Sequence, residues 1–164
     1  MKKLINKTII LSLFVALTGC NDWLDVSPKA DMKAEDLFGT EAGFRDALVG
    51  VYALMCGTNS YGRDLTYGYL DVLAQYYNSP LKTTSSGYEH NFKNAAEYKY
   101  TEKTEESRIS SIWSNHFSAV ANINQAMLFI DENKGVFTSP EVHDVYKGEF
   151  LALRAFLHFD ILRL

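Results

Sequence analysis

Two thiols, four imidazoles and scattered carboxylates are the groups in this chain with reactive chemistry of their own. Cys20 closes the stretch Leu17-Thr18-Gly19-Cys20, directly after an apolar run from Ile9 to Leu17 that only Ser12 interrupts. Lys2, Lys3 and Lys7 precede the run, so residues 1–19 have the basic start, short apolar middle and small-residue exit of a signal peptide. The run is shorter than the roughly 20 residues a membrane-crossing helix needs. Cys56 stands alone in Leu54-Met55-Cys56-Gly57, with no base or orienting group beside it in sequence, as nucleophilic catalysis by a thiol requires. The expectation for Cys56 is an inert, half-buried small residue at a helix end. Once Cys20 is assigned, no internal disulfide remains possible.

The other chemistries are not supported by spacing. His90, His116, His143 and His158 show neither an HxxxH pair nor Cys/His ligand spacing; His116 and His158 read as packed or capping groups within helices. Asp131-Glu132-Asn133-Lys134-Gly135 opens like a calcium loop, but its glycine comes one position early and Val142 stands where the bidentate glutamate belongs. It reads as a helix end and turn. There is no phosphate-binding glycine loop and no G-x-S-x-G elbow. Asp71 and Glu89 flank the central loop as solvated acids, and Arg154, His158, Asp160 and Arg163 read as helix-joining or surface pairs at i, i+3 and i, i+4. No catalytic residue, metal site or cofactor follows from these patterns.

The Leu17–Cys20 ending resembles a bacterial lipobox, in which the cysteine is acylated and becomes the new N-terminus. Acyl chains contribute about 0.8 kcal/mol per buried methylene, and two or more make a stable anchor. Residues 1–19 hold three Lys and no acid, so beyond them 13 basic residues face 20 acidic ones, a formal charge of −7. That balance argues against nucleic acid or an anionic membrane surface as partner. The membrane is reached through the lipid anchor alone. Ten Tyr and ten Phe suit planar, partly apolar ligands such as sugars, and also supply core.

Elements to position these groups follow from periodicity. Residues 20–39 form a lipidated tether, with an extended stretch before Pro28 and a helical turn over Lys33–Phe38. Thr40 caps an amphipathic helix whose face is Phe44, Ala47, Leu48, Val51, Tyr52 and Met55. A second helix is predicted over Arg63–Tyr77, with Leu65, Tyr69, Val72, Leu73 and Tyr76 in phase. Residues 78–104 lose the period and form a long loop, with a short strand over Glu97–Tyr100. Long loops in compact domains are often functional. The ligand-binding candidates are therefore Asp71, Tyr77, Asn78, Tyr88, Asn91, Phe92 and Tyr98, rings for stacking and polar groups for hydroxyls. The longest helix, Glu105–Asn133, would run about 40 Å, with Ile109, Ile112, Trp113, Phe117, Val120, Ile123, Met127 and Ile130 in phase. Ser139 caps the last helix, Pro140 takes its first position, and its apolar face is Val142, Val145, Tyr146, Phe150, Leu153, Phe156, Leu157 and Leu164. That face still runs at Leu164 without a stop signal, so the predicted array is all-α and incomplete at its C-terminal end. The two long helices start about 35 residues apart, near the repeat of tetratricopeptide arrays.

The order of these features resembles the SusD/RagB family of outer-membrane nutrient-binding lipoproteins. The resembling residues are Cys20 with Asp22-Trp23-Leu24-Asp25 and Pro28; Phe44 to Tyr52; Trp113 with Ala121-Asn122-Ile123-Asn124; and, most specifically, Gly148 to Leu164. The resemblance implies a tetratricopeptide-like helical domain over residues 40–164. It further implies a cell-surface location on the outer membrane, a SusC-like TonB-dependent transporter as partner, a glycan or peptide as cargo, and no catalysis. A structural adaptor that only scaffolds such a complex is the rival reading, and an anchored hydrolase finds no support in spacing. Cys20→Ser is expected to abolish fatty-acid labelling and to move the chain from the detergent phase to the aqueous phase on phase partitioning.

Overall fold

The structure, a computed structural model, describes residues 33–77 and 92–164; the expected signal peptide, Cys20, most of the expected tether, Asn78, Tyr88 and Asn91 lie outside the described residues. Residues from Lys33 to Leu164 form one compact unit. It is all-α, with no strand among the described residues. The elements are α1 (Ala34–Leu37), α2 (Glu41–Met55), α3 (Tyr69–Leu73), α4 (Lys93–Ala96), α5 (Lys103–Ile130), a 3-10 turn (Lys134–Val136) and α6 (Pro140–Arg163).

The caps arise as the local sequence dictates. Thr40 is extended and its hydroxyl accepts the Gly43 amide at 3.1 Å, while Ser139 does the same for the Val142 amide at 3.4 Å. Each satisfies one of the amides that a helix start leaves without an internal partner. The two starts are also stitched together: Glu41 accepts from both the amide and the hydroxyl of Thr138 at 2.7 Å. Those two bonds hold the Glu41 carboxyl below its usual range.

α5, 28 residues and about 42 Å long, is the common wall. α6 returns antiparallel along it: Lys147 reaches Asp131, Arg154 donates to Asn124 at 3.0 Å, and His116 faces Asp160. α2 packs antiparallel to α5 as well, with Phe38 on Phe129 at one end and Gly57 against Asn115 at the other. Between the three helices lies a core in which Phe44, Val51, Ile123, Ile130, Phe150 and Leu157 are fully buried. Phe38, Phe44 and Phe137 form a chain of rings 4.9–5.0 Å apart that closes the end where the helix starts meet. A second, smaller core of Leu65, Tyr69, Val72, Ala95 and Ile112 lies beside the N-terminal half of α5.

Four expectations are corrected. The helix predicted over Arg63–Tyr77 is reduced to Tyr69–Leu73, and residues 57–68 wind through irregular turns instead. Amides there reach back five or six residues, as Tyr61 to Met55 and Asp64 to Thr58. Gly62 makes this possible, because a Cβ at that position would lie 2.2 Å from the Cys56 carbonyl oxygen. The strand predicted over Glu97–Tyr100 is a turn, with Tyr98 in the left-handed region at φ 54°. Cys56 is exposed, not half-buried. Of the residues on the predicted apolar faces, Tyr52 of α2, Tyr76, Ile109, Trp113 and Phe117 of α5, and Val145, Phe156 and Leu164 of α6 are exposed. The stripes that do pack are Ile112–Val120–Ile123–Ile130 and Phe150–Leu153–Leu157.

Two helical glycines test this packing in opposite directions. A Cβ on Gly43 would lie 1.6 Å from the Leu37 carbonyl oxygen, whereas one on Gly50 would meet nothing within 4 Å. Gly43→Ala is expected to destabilise by about 1–3 kcal/mol. Gly50→Ala is expected to stabilise by about 0.5–1 kcal/mol, both read from urea melts.

Candidate functional site

Above the smaller core the surface opens into a cleft of about 440 Å³, within the size range of ligand pockets. α3 supplies Tyr69, Leu70 and Leu73, α5 supplies Ile109, Ile112, Trp113 and His116, and the end of α6 supplies Ile161, Arg163 and Leu164, with Tyr100 at the side. The walls are rings and aliphatic chains, with His116 and Arg163 as polar groups. Trp113 is 55 % exposed and Tyr100 46 %, so both present ring area to a ligand. Trp113 is braced by Phe117 one helical turn on, at 4.7 Å between ring centres.

Behind the cleft wall lies a polar trio. His116, 1 % exposed, places Nδ1 3.1 Å from the Ile112 carbonyl and Nε2 3.2 Å from the Tyr61 hydroxyl. Tyr61 donates to Asp160 Oδ2 at 2.6 Å, and Arg163 donates to the other Asp160 oxygen at 3.2 Å. Burial, then the bond to Asp160, pushes the Tyr61 hydroxyl well above the usual tyrosine value, so it stays a phenol.

A second polar group underlies the smaller core. Asp64, fully buried, receives Arg63 Nε at 2.7 Å and lies 3.7 Å from Arg108. The Arg108 guanidinium covers the Phe92 ring at 4.4 Å and the Tyr69 ring at 5.7 Å, contacts in which a cation meets the negative face of a ring. Glu105, fully buried one helical turn before Arg108, finds no donor in hydrogen-bond geometry. Arg108 Nε lies 3.6 Å from it. Burial pushes the Glu105 carboxyl above its usual range, opposed by Arg108. The Tyr69 hydroxyl is pushed up to about 12, by burial first and by Glu105 next.

The sequence-based ligand candidates fall around this region without forming one surface. Phe92 is half-buried beneath Arg63 and Arg108, a plug of the smaller core. Tyr98 has an exposed ring whose hydroxyl donates to the Leu73 carbonyl at 2.9 Å, tying the stretch after α4 to the end of α3. Tyr77 is exposed and donates to the Tyr67 carbonyl. Asp71 is half-buried on α3. Asn78, Tyr88, Asn91 and Cys20, the expected anchor, lie outside the described residues. None of the described candidates lines the cleft, and the cleft residues best suited to ligand contact, Trp113, Tyr100 and Arg163, were missed by sequence reasoning. A legible signal existed: Ile109, Trp113 and Phe117 form an i, i+4 stripe beside the Ile112–His116 stripe. Together the two are wider than one core interface requires.

Among the described residues no group of three His, Cys, Asp or Glu could hold a metal ion. No helix among them is long and apolar enough to cross a membrane. Comparison with known proteins finds no matching family model, curated protein or solved structure.

Because Glu105 holds its proton more tightly folded than unfolded, its contribution to stability is full at acid pH. It is lost as pH rises through the raised folded value. Glu105→Gln is expected to match the native chain near pH 4 and to exceed it in stability near pH 8, measured by urea melts across the range.

Proposed function

We propose that this chain is a lipid-anchored surface protein of SusD/RagB type. It captures a nutrient glycan, or a peptide, and passes it uncleaved to a SusC-like TonB-dependent transporter in the outer membrane. On this reading the α2, α5 and α6 helices belong to a tetratricopeptide-like array. The observation that carries the proposal is the cleft of about 440 Å³ beside α5, whose exposed rings Trp113 and Tyr100 offer flat apolar area to a ligand. Sugar faces stack on such rings, and a site set on long packed helices is held more rigidly than one on a loop. The lipobox-like stretch ending in Cys20 and the Gly148–Leu164 motif support it from the sequence. The acidic balance is in keeping with an uncharged cargo.

The adaptor reading is favoured by a separate observation. Phe92 and Tyr98 are engaged within the fold, while Trp113, Phe117, Phe159 and Leu162 leave α5 and α6 with apolar area toward solvent. Isothermal titration of the full chain against soluble polysaccharides and peptides separates the two. The Trp113→Ala, Tyr100→Ala double variant is expected to weaken binding by at least about tenfold, about 1.4 kcal/mol, with an unchanged circular dichroism spectrum. Unchanged affinity in that variant would move the ligand elsewhere. No binding by the native chain, with a transporter still co-purifying, would favour the adaptor.

A further inference from the structure

α6 carries two stripes of the same spacing on opposite sides. Tyr146, Phe150, Leu153 and Leu157 step by four, three and four residues and face the core shared with α2 and α5. Val145, Gly148, Ala152, Ala155, Phe159 and Leu162 continue the same alternation of three and four. They begin two positions after the core stripe, whose start is His143, and so lie about 200° round the helix from it. All six are exposed, Leu162 at 83 %, Val145 at 65 % and Phe159 at 57 %, and none carries a charge. Steps of three and four are the spacing at which two helices interlock their side chains. A helix apolar on opposite faces belongs between two layers, and the described residues cover only one face of α6.

The outer stripe is matched to itself in one orientation. A second α6 laid antiparallel, with the two-fold axis between Ala152 and Ala155, sets Val145 against the partner's Leu162 and Gly148 against the partner's Phe159. Ala152 meets the partner's Ala155 at the axis, where small side chains let the backbones approach. Glycine inside a helix is unfavourable relative to alanine, and a Cβ on Gly148 would meet nothing within 4 Å. The open space over Gly148 is where the partner's Phe159 ring would seat. Flanking charges choose the orientation. Antiparallel, Glu149 comes beside the partner's Arg163, and Asp144 beside the partner's His158, acids against nitrogen donors. Parallel, Asp144 would lie beside the partner's Glu149, two carboxylates together. The internal bonds leave capacity for this: Glu149 uses one oxygen for the Tyr52 hydroxyl, Asp144 one for His143, and Arg163 one nitrogen for Asp160.

We propose that the outer face of α6 is a self-association surface, on which a second copy of this chain seats its own α6 antiparallel. The same patch serves both copies, so the contact closes at a dimer. Leu151 and Phe156, exposed on either side of the stripe, each lie beside their own counterpart across the axis. Arg163 belongs to both the pairing and the cleft, so the two clefts of the dimer adjoin the junction. This inference does not depend on what the cleft binds.

The test is disulfide cross-linking of the full chain in a Cys56→Ser background, with Val145→Cys and Leu162→Cys on separate chains that carry tags of different size. In the antiparallel pair these two thiols face each other, whereas like positions lie about 25 Å apart and cannot be bridged. The mixture is therefore expected to give the cross-linked heterodimer in at least about fivefold greater yield than either chain gives with itself. Phe159→Glu is expected to lower that yield at least about tenfold, with an unchanged circular dichroism spectrum; Gly148→Leu serves in its place should that variant not fold. Equal yields from like and unlike pairings, or a yield that these variants leave unaltered, would overturn the pairing. So would the absence of cross-links, whether the new thiols react freely with a water-soluble maleimide, which leaves the face bare, or are shielded from it, which puts another segment or another protein there.

Discussion

A 28-residue helix with apolar residues on more than one face has to be covered on more than one side, and α5 sets this demand on the rest of the chain. Its Ile123–Ile130 end takes α2 and α6 together, so three helix segments share one core. Its Ile112 end takes α3, α4 and the 57–68 turns. The two cores differ in kind. The first is a dry stack of phenylalanines and aliphatic chains; the second is small and threaded with charge. Interior packing is dense enough that a single misplaced Cβ, as at Gly43, has nowhere to go.

Charge inside the smaller core explains the shape of the segments around it. A buried carboxylate is costly unless it is paired, and Asp64 is paired by one arginine from its own turn and one from α5. That requirement draws residues 57–68 inward and prevents them from continuing α2 as a regular helix. The same guanidiniums cover Phe92, so a ring that could have faced solvent closes the core instead. Glu105 is the weaker case, fully buried with Arg108 Nε no nearer than 3.6 Å, and burial makes it hold its proton more tightly against the pull of Arg108.

The cleft is the geometrical remainder of these choices. α5 has more apolar width than its partners cover, and the part left open carries Trp113, with Tyr100 and the end of α6 for walls. Its chemistry is ring stacking with little polar decoration. The polar groups near it, His116 and Asp160, are already bound to Tyr61, and Arg163 to Asp160, so they shape the wall.

Local chemistry determined the parts of this protein that depend on near neighbours in sequence. Thr40 and Ser139 announced their helices because a hydroxyl reaches an amide three residues on. Phe44–Val51, Ile112–Ile130 and Phe150–Leu157 announced theirs because a helical period survives whatever the stripe packs against. The Asp160–Arg163 pair was equally readable, being one turn apart. What tertiary structure alone decided rests on residues distant in the chain. Asp64 met Arg108, Tyr61 met both His116 and Asp160, and Trp113 was left uncovered while Ile112 beside it was buried. A periodic pattern gives the phase of an apolar stripe and not its width of contact, which is set by how many neighbouring elements arrive and where their charges must be matched.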